Sequence, residues 1–230
     1  EFVFMNKKSI VIQREVGLDT QSLQTALRNA MRQAPDCILI GEIRDRETMT
    51  SALSYALSGH LVLATLHANN SYHALGRILS FYPPEARPTL LSDLSSGLRA
   101  IVSQRLLRAN VGGRLPAVEV LLNTKLVAEL IEKGDVNGVK EAVEKSMAAG
   151  SQTFEQDIAR LITEGLVTRD EGLAFADSPT NLMWRLQNEQ EAPSRAAPAK
   201  TDSDEAVFSE VSVEVRPEDK TPAAPWLTRK

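Results

Sequence analysis

The stretch DCILIGEIRD, residues 36–45, decides which fold the sequence predicts. Four apolar residues run into Gly41, and Glu42, Arg44 and Asp45 follow directly after it. A short, wholly apolar run is typical of a strand that is buried on both faces of a parallel sheet. Ligands of such sheets bind beyond the carboxyl ends of the strands, so the charged residues at this end are candidates for a functional site.

Amphipathic helices alternate with apolar strands around this stretch. Residues 20–33 place apolar side chains on one helical face after the capping candidates Asp19 and Thr20, and residues 46–57 do the same after Asp45. LVLATL, residues 61–66, predicts a second buried strand, and a third helix begins at one of residues 69–71. This alternation predicts an α/β fold with a parallel sheet covered on both faces.

The rest of the chain divides by composition and periodicity. Residues 9–13 read as a strand, residues 85–108 as a long helix, and residues 118–122 as a strand or hairpin. Residues 125–188 predict a subdomain of short helices, one of which opens with a capping box at Thr168 and Glu171. Residues 189–230 are rich in proline, alanine and acidic residues without an amphipathic period, which predicts a disordered tail.

Composition excludes several classes of protein. The chain has 230 residues, is 43% hydrophobic, and carries a net charge of −4, which does not favour nucleic acid as a partner. No apolar run approaches the roughly 20 residues of a membrane-spanning helix. A single cysteine, Cys37, rules out a disulfide within the chain and is interpreted as a small core residue. The first residues, EFVFMNKKSI, do not follow the order of a signal peptide and predict a chain that starts in the middle of a domain.

Glu42 is the first candidate for a catalytic residue. It stands two residues beyond the end of the predicted strand, where an ionised carboxylate can orient a water molecule or accept its proton during attack on a phosphate. The alternative is that Glu42, Arg44 and Asp45 only cap and solvate the next helix. The local pattern leaves both interpretations open.

The segment GHLVLATLHANNS, residues 59–71, places a histidine at each end of a predicted strand. At about 3.3 Å per residue, His60 and His67 lie about 23 Å apart and have separate roles. His67 is expected at the same edge of the sheet as Glu42, where an imidazole can donate to a terminal phosphate, while His60 is interpreted as structural. Thr65 and Asn69 flank His67 and are able to form hydrogen bonds there.

Other kinds of site receive little support. Cys37, His67 and His73 lack the paired spacing of a zinc site, and no Gly-x-Ser-x-Gly elbow of a serine hydrolase occurs. No G-x-x-x-x-G-K-[S/T] loop occurs either, so the chain is not a nucleotide enzyme or this loop lies before Glu1. The arginines that are candidates for neutralising phosphate or for crossing a subunit boundary are Arg14, Arg28, Arg32, Arg44 and Arg46.

Three sequence boxes, in order, resemble those of the secretion-superfamily ATPases, and specifically of the PilT/PilU family of type IV pilus retraction motors. They are QREVG at residues 13–17, APDCILIGEIRD at residues 34–45 and GHLVLATLHANNS at residues 59–71. The resemblance covers residues 1–188. KLVAELIEKG, residues 125–134, keeps the apolar spacing of the family's AIRNLIRE motif without its arginine and asparagine, which favours a PilU-like member.

The resemblance assigns roles to particular residues. Glu42 matches the family's Walker B glutamate and is the implied catalytic residue. His67 belongs to the histidine box, and Glu1 matches the end of the aspartate box. His67, Thr65, Arg44 and Glu1 are the implied nucleotide-binding residues, with no metal ligand among the residues of this chain.

The resemblance also implies an architecture and partners. Residues 1–124 would form a RecA-like ATPase core fragment without its P-loop half. Without the Walker A loop, the chain of 230 residues is expected to be inactive alone. The family implies ATP and Mg²⁺, a homohexameric ring, and coupling of hydrolysis to pilin disassembly. It further implies a PilT-type motor and an inner-membrane pilus platform protein as partners, and a cytoplasmic location at the inner face of the inner membrane, with membrane association only through partners. The alternatives are an accessory ring subunit without catalysis and a RecA-like nucleic-acid motor, which the net charge disfavours.

Overall fold

The computed structural model describes Phe4, residues 6–146 and residues 148–191. Its helices and strands, in chain order, are α1 (Leu23–Met31), β1 (Cys37–Ile40), α2 (Arg46–Leu57), β2 (Leu61–Ala64), α3 (Ser71–Ser80), a 3₁₀ helix (Pro84–Ala86), α4 (Arg87–Gly97), β3 (Ala100–Arg108), β4 (Arg114–Leu122), α5 (Lys125–Glu132), α6 (Val136–Glu144), α7 (Phe154–Thr163), α8 (Arg169–Phe175) and α9 (Pro179–Glu191). The predicted tail lies outside the described residues from residue 192 onward, and residues 189–191 complete α9.

The predicted α/β architecture is confirmed in the first half of the chain. β1 and β2 pair in parallel, with Cys37 opposite Leu61 and Ile40 opposite Ala64. α2 connects the two strands, so the helix between them is the crossover of a β-α-β unit. Because the strands are parallel and in register, both carboxyl ends lie at the same edge of the sheet.

Side-chain caps set where the first three helices begin. Asp45 accepts a hydrogen bond from the backbone N–H of Thr48 at 2.8 Å, as the sequence predicts, and Asn70 caps α3. α1 differs from the prediction, because Ser22 and not Asp19 or Thr20 caps it. Each cap satisfies an N–H that the first turn of a helix would otherwise leave without a partner.

Two of the predicted elements are wrong. Residues 9–13 belong to no strand, and α4 ends at Gly97, after which β3 replaces the second half of the predicted long helix. The helical spacing of Leu98, Ile101 and Val102 is coincidental, because β3 pairs antiparallel with β4 over its whole length. Leu90 and Leu94 alone are buried on α4.

The hairpin of β3 and β4 was predicted only at its second strand. Its tip contains Gly112 and Gly113, whose φ angles of +90° and +77° are ones that residues with a Cβ rarely adopt. Ala109 donates its N–H to the Gly113 carbonyl across the turn at 3.2 Å. The two glycines therefore allow the chain to reverse tightly at this point.

The buried apolar residues form two clusters. The first cluster joins β1 and helices α1 to α6, and includes Ile40, Leu94 and Val139. The second joins the hairpin to α7 and α9, and its fully buried members include Leu107, Phe154, Ile158 and Leu182. The hairpin contributes to both clusters, since Leu121 packs in the first and Leu107 in the second.

One face of the parallel pair is open in the described part of the chain. Ile38 and Ile40 are buried, whereas Leu61 is 55% and Leu63 49% exposed. The prediction that LVLATL is a buried strand is therefore wrong here, and Cys37, interpreted as a core residue, is exposed. Neighbouring side chains of a strand point to opposite faces, so only one of the two faces is covered by the described helices.

Candidate active site

The ends of β1 and β2 are tied to each other just beyond the strands. Ile43 donates its backbone N–H to the Thr65 carbonyl at 2.9 Å. The Thr65 hydroxyl in turn donates to the Gly41 carbonyl. These two links hold the chain side by side after it leaves the sheet, and they place the residues that follow each strand next to each other.

Glu42 and His67 meet at this edge, as their position after parallel strands predicts. The Glu42 Oε1 atom lies 3.0 Å from Nε2 of His67. The Oε2 atom lies 2.5 Å from Nη2 of Arg44 and accepts a hydrogen bond from its Nε at 2.5 Å. The three side chains that the sequence singled out thus form one cluster, with the carboxylate between a guanidinium and an imidazole.

Exposure differs sharply within the cluster. The Glu42 side chain is 20% exposed, whereas Arg44 is 78% and His67 85% exposed. Exposed ion pairs contribute only about 0.2–1 kcal/mol, so Arg44 and His67 can leave Glu42 at little cost and contact another charged group. The carboxylate is the less exposed group, and its two partners are open to solvent.

The arrangement suits activation of a water molecule. Each carboxylate oxygen has two lone pairs, so Glu42 can accept a hydrogen bond from water while it keeps its contacts with Arg44 and His67. The imidazole can carry a proton on Nε2 and donate it to the carboxylate, or turn to donate it to an anion. The cluster therefore combines a base (Glu42), a hydrogen-bond donor (His67) and a cation (Arg44) at one place on the surface.

The other candidate residues of the sequence are placed as follows. Thr65 uses its hydroxyl as a donor within the structure, and Glu1 lies outside the described residues. His60 lies at the opposite end of β2, with Nδ1 3.3 Å from the Tyr55 carbonyl and 3.2 Å from the Ser58 hydroxyl. These contacts agree with a structural role for His60.

Neither a metal site nor a membrane-spanning helix is found in the described part of the chain. Among the described residues, no group of three or more His, Cys, Asp or Glu side chains could hold a metal ion. Arg46, one of the candidate arginines, lies over the ring of Tyr82 at 5.3 Å. No helix in the described part of the chain is both long enough and apolar enough to cross a bilayer.

Sequence reasoning missed a polar group next to His67. Arg105, Glu119 and Asp177 all form hydrogen bonds with residues 69–71, directly after the histidine. One signal for this group was present in the sequence, because Glu119 interrupts the apolar run of β4. Burial raises the pKa of Glu119 above its ordinary value, and the hydrogen bonds from Ser71 oppose that rise.

Comparison with known proteins identifies the family. Residues 6–191 match the model of the "Type II/IV secretion system protein" family. Among curated proteins of Pseudomonas aeruginosa, the type IV pilus ATPase PilU is 48% identical over 84% of this chain and 51% of its own length. The type IV pilus retraction ATPase PilT is 37% identical over 79% of this chain and 53% of its own length.

Solved structures give the same result. The crystal structure of the pilus retraction motor PilT with bound ADP superposes with a TM-score of 0.72 and 38% identity, over 79% of this chain and 51% of that one. The ATPase DotB of Yersinia pseudotuberculosis follows at a TM-score of 0.66 and 28% identity, over 73% of this chain and 44% of that one. The chain thus spans about half the length of the relatives it matches. It belongs to the type II/IV secretion system protein family and, within that family, to the PilT/PilU group.

Proposed function

We propose that this chain is the C-terminal part of an ATPase motor that couples ATP hydrolysis to type IV pilus retraction and twitching motility. The observation that supports this most directly is the contact between Glu42 and His67 at the ends of two parallel strands. The names of the PilU and PilT relatives, and the ADP bound in the PilT crystal structure, support the choice of nucleotide. Residues 1–124 supply the nucleotide-facing fragment in this proposal, and residues 125–188 the helical part.

In the proposed mechanism Glu42 is the catalytic residue. Its carboxylate orients the attacking water and accepts its proton, while His67 turns from Glu42 to the terminal phosphate and so responds to its presence. Arg44 neutralises negative charge on the phosphates. Mg²⁺ would stabilise the charge of the phosphates.

The surrounding assembly forms the finer part of the proposal. The subunit works in a homohexameric ring at the cytoplasmic face of the inner membrane, with a PilT-type motor and an inner-membrane platform protein as partners. A lysine-bearing phosphate loop upstream of residue 1, together with Glu1, completes the nucleotide site. The higher identity to PilU than to PilT favours a PilU-like subunit.

The test is a conservative substitution at Glu42 in the complete protein. Glu42→Gln should bind ATP as the wild type does and hydrolyse it on the order of 10² to 10³ more slowly, because one preorganised group is lost. Glu47→Gln, an exposed glutamate in the first turn of α2, is the matched control and should leave turnover unchanged. Wild-type turnover by Glu42→Gln would remove this residue from the mechanism.

An accessory subunit without its own catalysis is the second candidate. It is favoured by α5, which lacks the arginine and asparagine expected from the PilT-type motif. Turnover by the purified complete protein, measured alone and then with a PilT-type motor, separates the two functions. A subunit that is silent alone and stimulates the motor equally well with Glu42→Gln would be accessory.

A further inference from the structure

The segment that follows His67 is held by residues distant in sequence. The guanidinium of Arg105, on β3, donates from Nη2 to the Asn69 carbonyl at 3.2 Å. Its Nη1 donates to the Phe175 carbonyl at 2.6 Å, and its carbon atom Cζ lies 4.0 Å above the ring centre of Phe154. A planar guanidinium can serve these partners at once, because its five N–H donors lie in a fixed fork.

Asp177, between α8 and α9, links the same guanidinium to the next residue of the segment. Its Oδ1 atom lies 2.5 Å from Nη2 of Arg105, and its Oδ2 atom accepts a hydrogen bond from Nδ2 of Asn70 at 3.1 Å. Both members of the ion pair are largely buried. The Asn70 side chain is buried too, and its Oδ1 caps α3, so both ends of its amide are occupied.

A third link holds the first residue of α3. The buried Glu119 carboxylate, on β4, accepts a hydrogen bond from the Ser71 backbone N–H at 2.6 Å. A carboxylate at a helix N-terminus is also attracted by the partial positive charge of the unpaired N–H groups there. Three consecutive residues, 69–71, are thus each bound by a different side chain of the hairpin or of the α8–α9 connection.

His67 itself has little packing to hold it. Its side chain is exposed. On the strand side it follows Leu66, which packs against the first cluster, and Thr65, which is bound through its carbonyl and its hydroxyl. On the helix side the nearest fixed point is Asn69, bound by Arg105. The histidine therefore lies in a short loop, and the C-terminal end of this loop is held by hydrogen bonds with Arg105 and Asp177.

We propose that Arg105 and Asp177 are positioning residues for the reaction, which hold the segment 66–70 so that His67 reaches Glu42 and the terminal phosphate. The inference rests on the proposed hydrolysis at Glu42 and adds two residues that act through their contacts with residues 69 and 70. Since a misplacement of about 1 Å by a distant substitution can lower a rate by about 10²-fold, loss of this anchor should lower turnover more than it weakens nucleotide binding.

The experiment compares Arg105→Lys, Arg105→Gln and Asp177→Asn in the complete protein with Arg108→Gln as control. Arg108 lies on the same strand and its side chain is exposed. Arg105→Gln and Asp177→Asn should lower kcat about 10- to 100-fold, with a smaller change in KM for ATP. Arg105→Lys keeps the positive charge but loses the planar set of N–H donors, so its kcat should lie between those of the other two variants and the wild type. The double variant should be no slower than the slower single variant, because both act through one anchor.

Hydrogen exchange separates a positioning role from a general role in stability. A positioning role changes exchange only near residues 66–70, whereas a loss of overall stability changes it throughout the protein. Without nucleotide, amides of residues 66–70 should exchange faster in the three variants, while amides of α4, which packs in the first cluster away from Arg105, keep their protection. Uniformly faster exchange would overturn the inference, as would an unchanged kcat or a raised KM at constant kcat. If Arg105→Gln does not fold, Arg105→Lys decides by the same criteria.

The outcomes also separate this inference from the proposed function. Exchange is measured without nucleotide, so it does not depend on hydrolysis. If Glu42→Gln retains wild-type turnover, the proposed mechanism fails whatever the anchor does. If Glu42→Gln is inactive and Arg105→Lys changes neither exchange nor kcat, the positioning role alone is overturned.

Discussion

Two regions of this chain contain strands with several leucines, but the surroundings of these strands differ. In the hairpin, Leu107 and Ala117 are fully buried against α7 and α9. In the parallel pair, Leu61 and Leu63 face solvent within the described residues. The hydrophobic effect is proportional to the apolar area removed from water, so the same residue type stabilises one region strongly and the other little.

The candidate active site lies at the less covered of the two regions. Glu42 and His67 follow the open strands. Arg105 and Glu119 of the hairpin form hydrogen bonds with residues 69 and 71, which come shortly after His67. A mobile histidine needs open surface, whereas a fixed anchor needs burial, because a charged pair removed from water is locked by its hydrogen bonds. The comparison predicts that side chains of the second cluster contribute most to the free energy of unfolding, and that the residues after β1 and β2 carry the chemistry.

Truncation of one leucine in each region tests this division most strongly. Leu107→Ala should lower the free energy of unfolding by about 2–5 kcal/mol, because it leaves a cavity in a closely packed core. Leu63→Ala, also on a strand but half exposed, should cost under about 1 kcal/mol. Urea unfolding of both variants gives the two values, and equal losses would contradict the comparison.

The cap of α7 offers a smaller test within the second cluster. Thr153 accepts a hydrogen bond from Gln156 N–H, and the Gln156 side chain accepts one from Thr153 N–H, so the two form a capping box. Thr153→Ala should cost about 1 kcal/mol. The control, Thr163→Ala in the last turn of the same helix, removes only a bond to the Ala159 carbonyl and should cost less than about 0.5 kcal/mol. A loss at Thr153 no greater than the loss at Thr163 would show that the cap contributes little to stability.

Local patterns predicted the strand ends well. The N-cap at Asp45, the start of α3 and the meeting of Glu42 with His67 all follow from short-range spacing and from the geometry of parallel strands. The predicted capping box of α8 is half formed. Thr168 accepts a hydrogen bond from Glu171 N–H, whereas the Glu171 carboxylate accepts one from Arg108 N–H and not from Thr168. A tertiary partner outweighed the local one.

Contacts between distant residues could not be predicted from such patterns. β3 resembles a helix in its apolar spacing, and only its pairing with β4 makes it a strand. The Arg105–Asp177 pair joins residues 72 positions apart, which no local period reveals. The exposure of Leu63 depends on what covers the sheet, and composition does not encode that.

The titration of Glu119 gives a test that is decided by the sign of the effect. Burial raises its pKa, with a contribution from Asp177, while Ser71 and Arg105 oppose the rise. Between the ordinary glutamate pKa and the raised value, the folded protein binds more protons than the unfolded chain, so the free energy of unfolding falls as pH rises. One proton allows a slope of at most about 1.4 kcal/mol per pH unit.

Glu119→Gln removes this titration and keeps an oxygen that can accept the hydrogen bond from Ser71. The variant should match the wild type below the ordinary glutamate pKa and become the more stable of the two as pH rises through the window, after which the difference stays constant. Urea unfolding at a series of pH values measures it. Glu129→Gln, on the exposed side of α5, should show a difference that does not change across the same window. A wild type that gains stability over Glu119→Gln with rising pH would mean that Ser71 and Arg105 outweigh burial, and that the anchor at residue 71 favours the charged carboxylate.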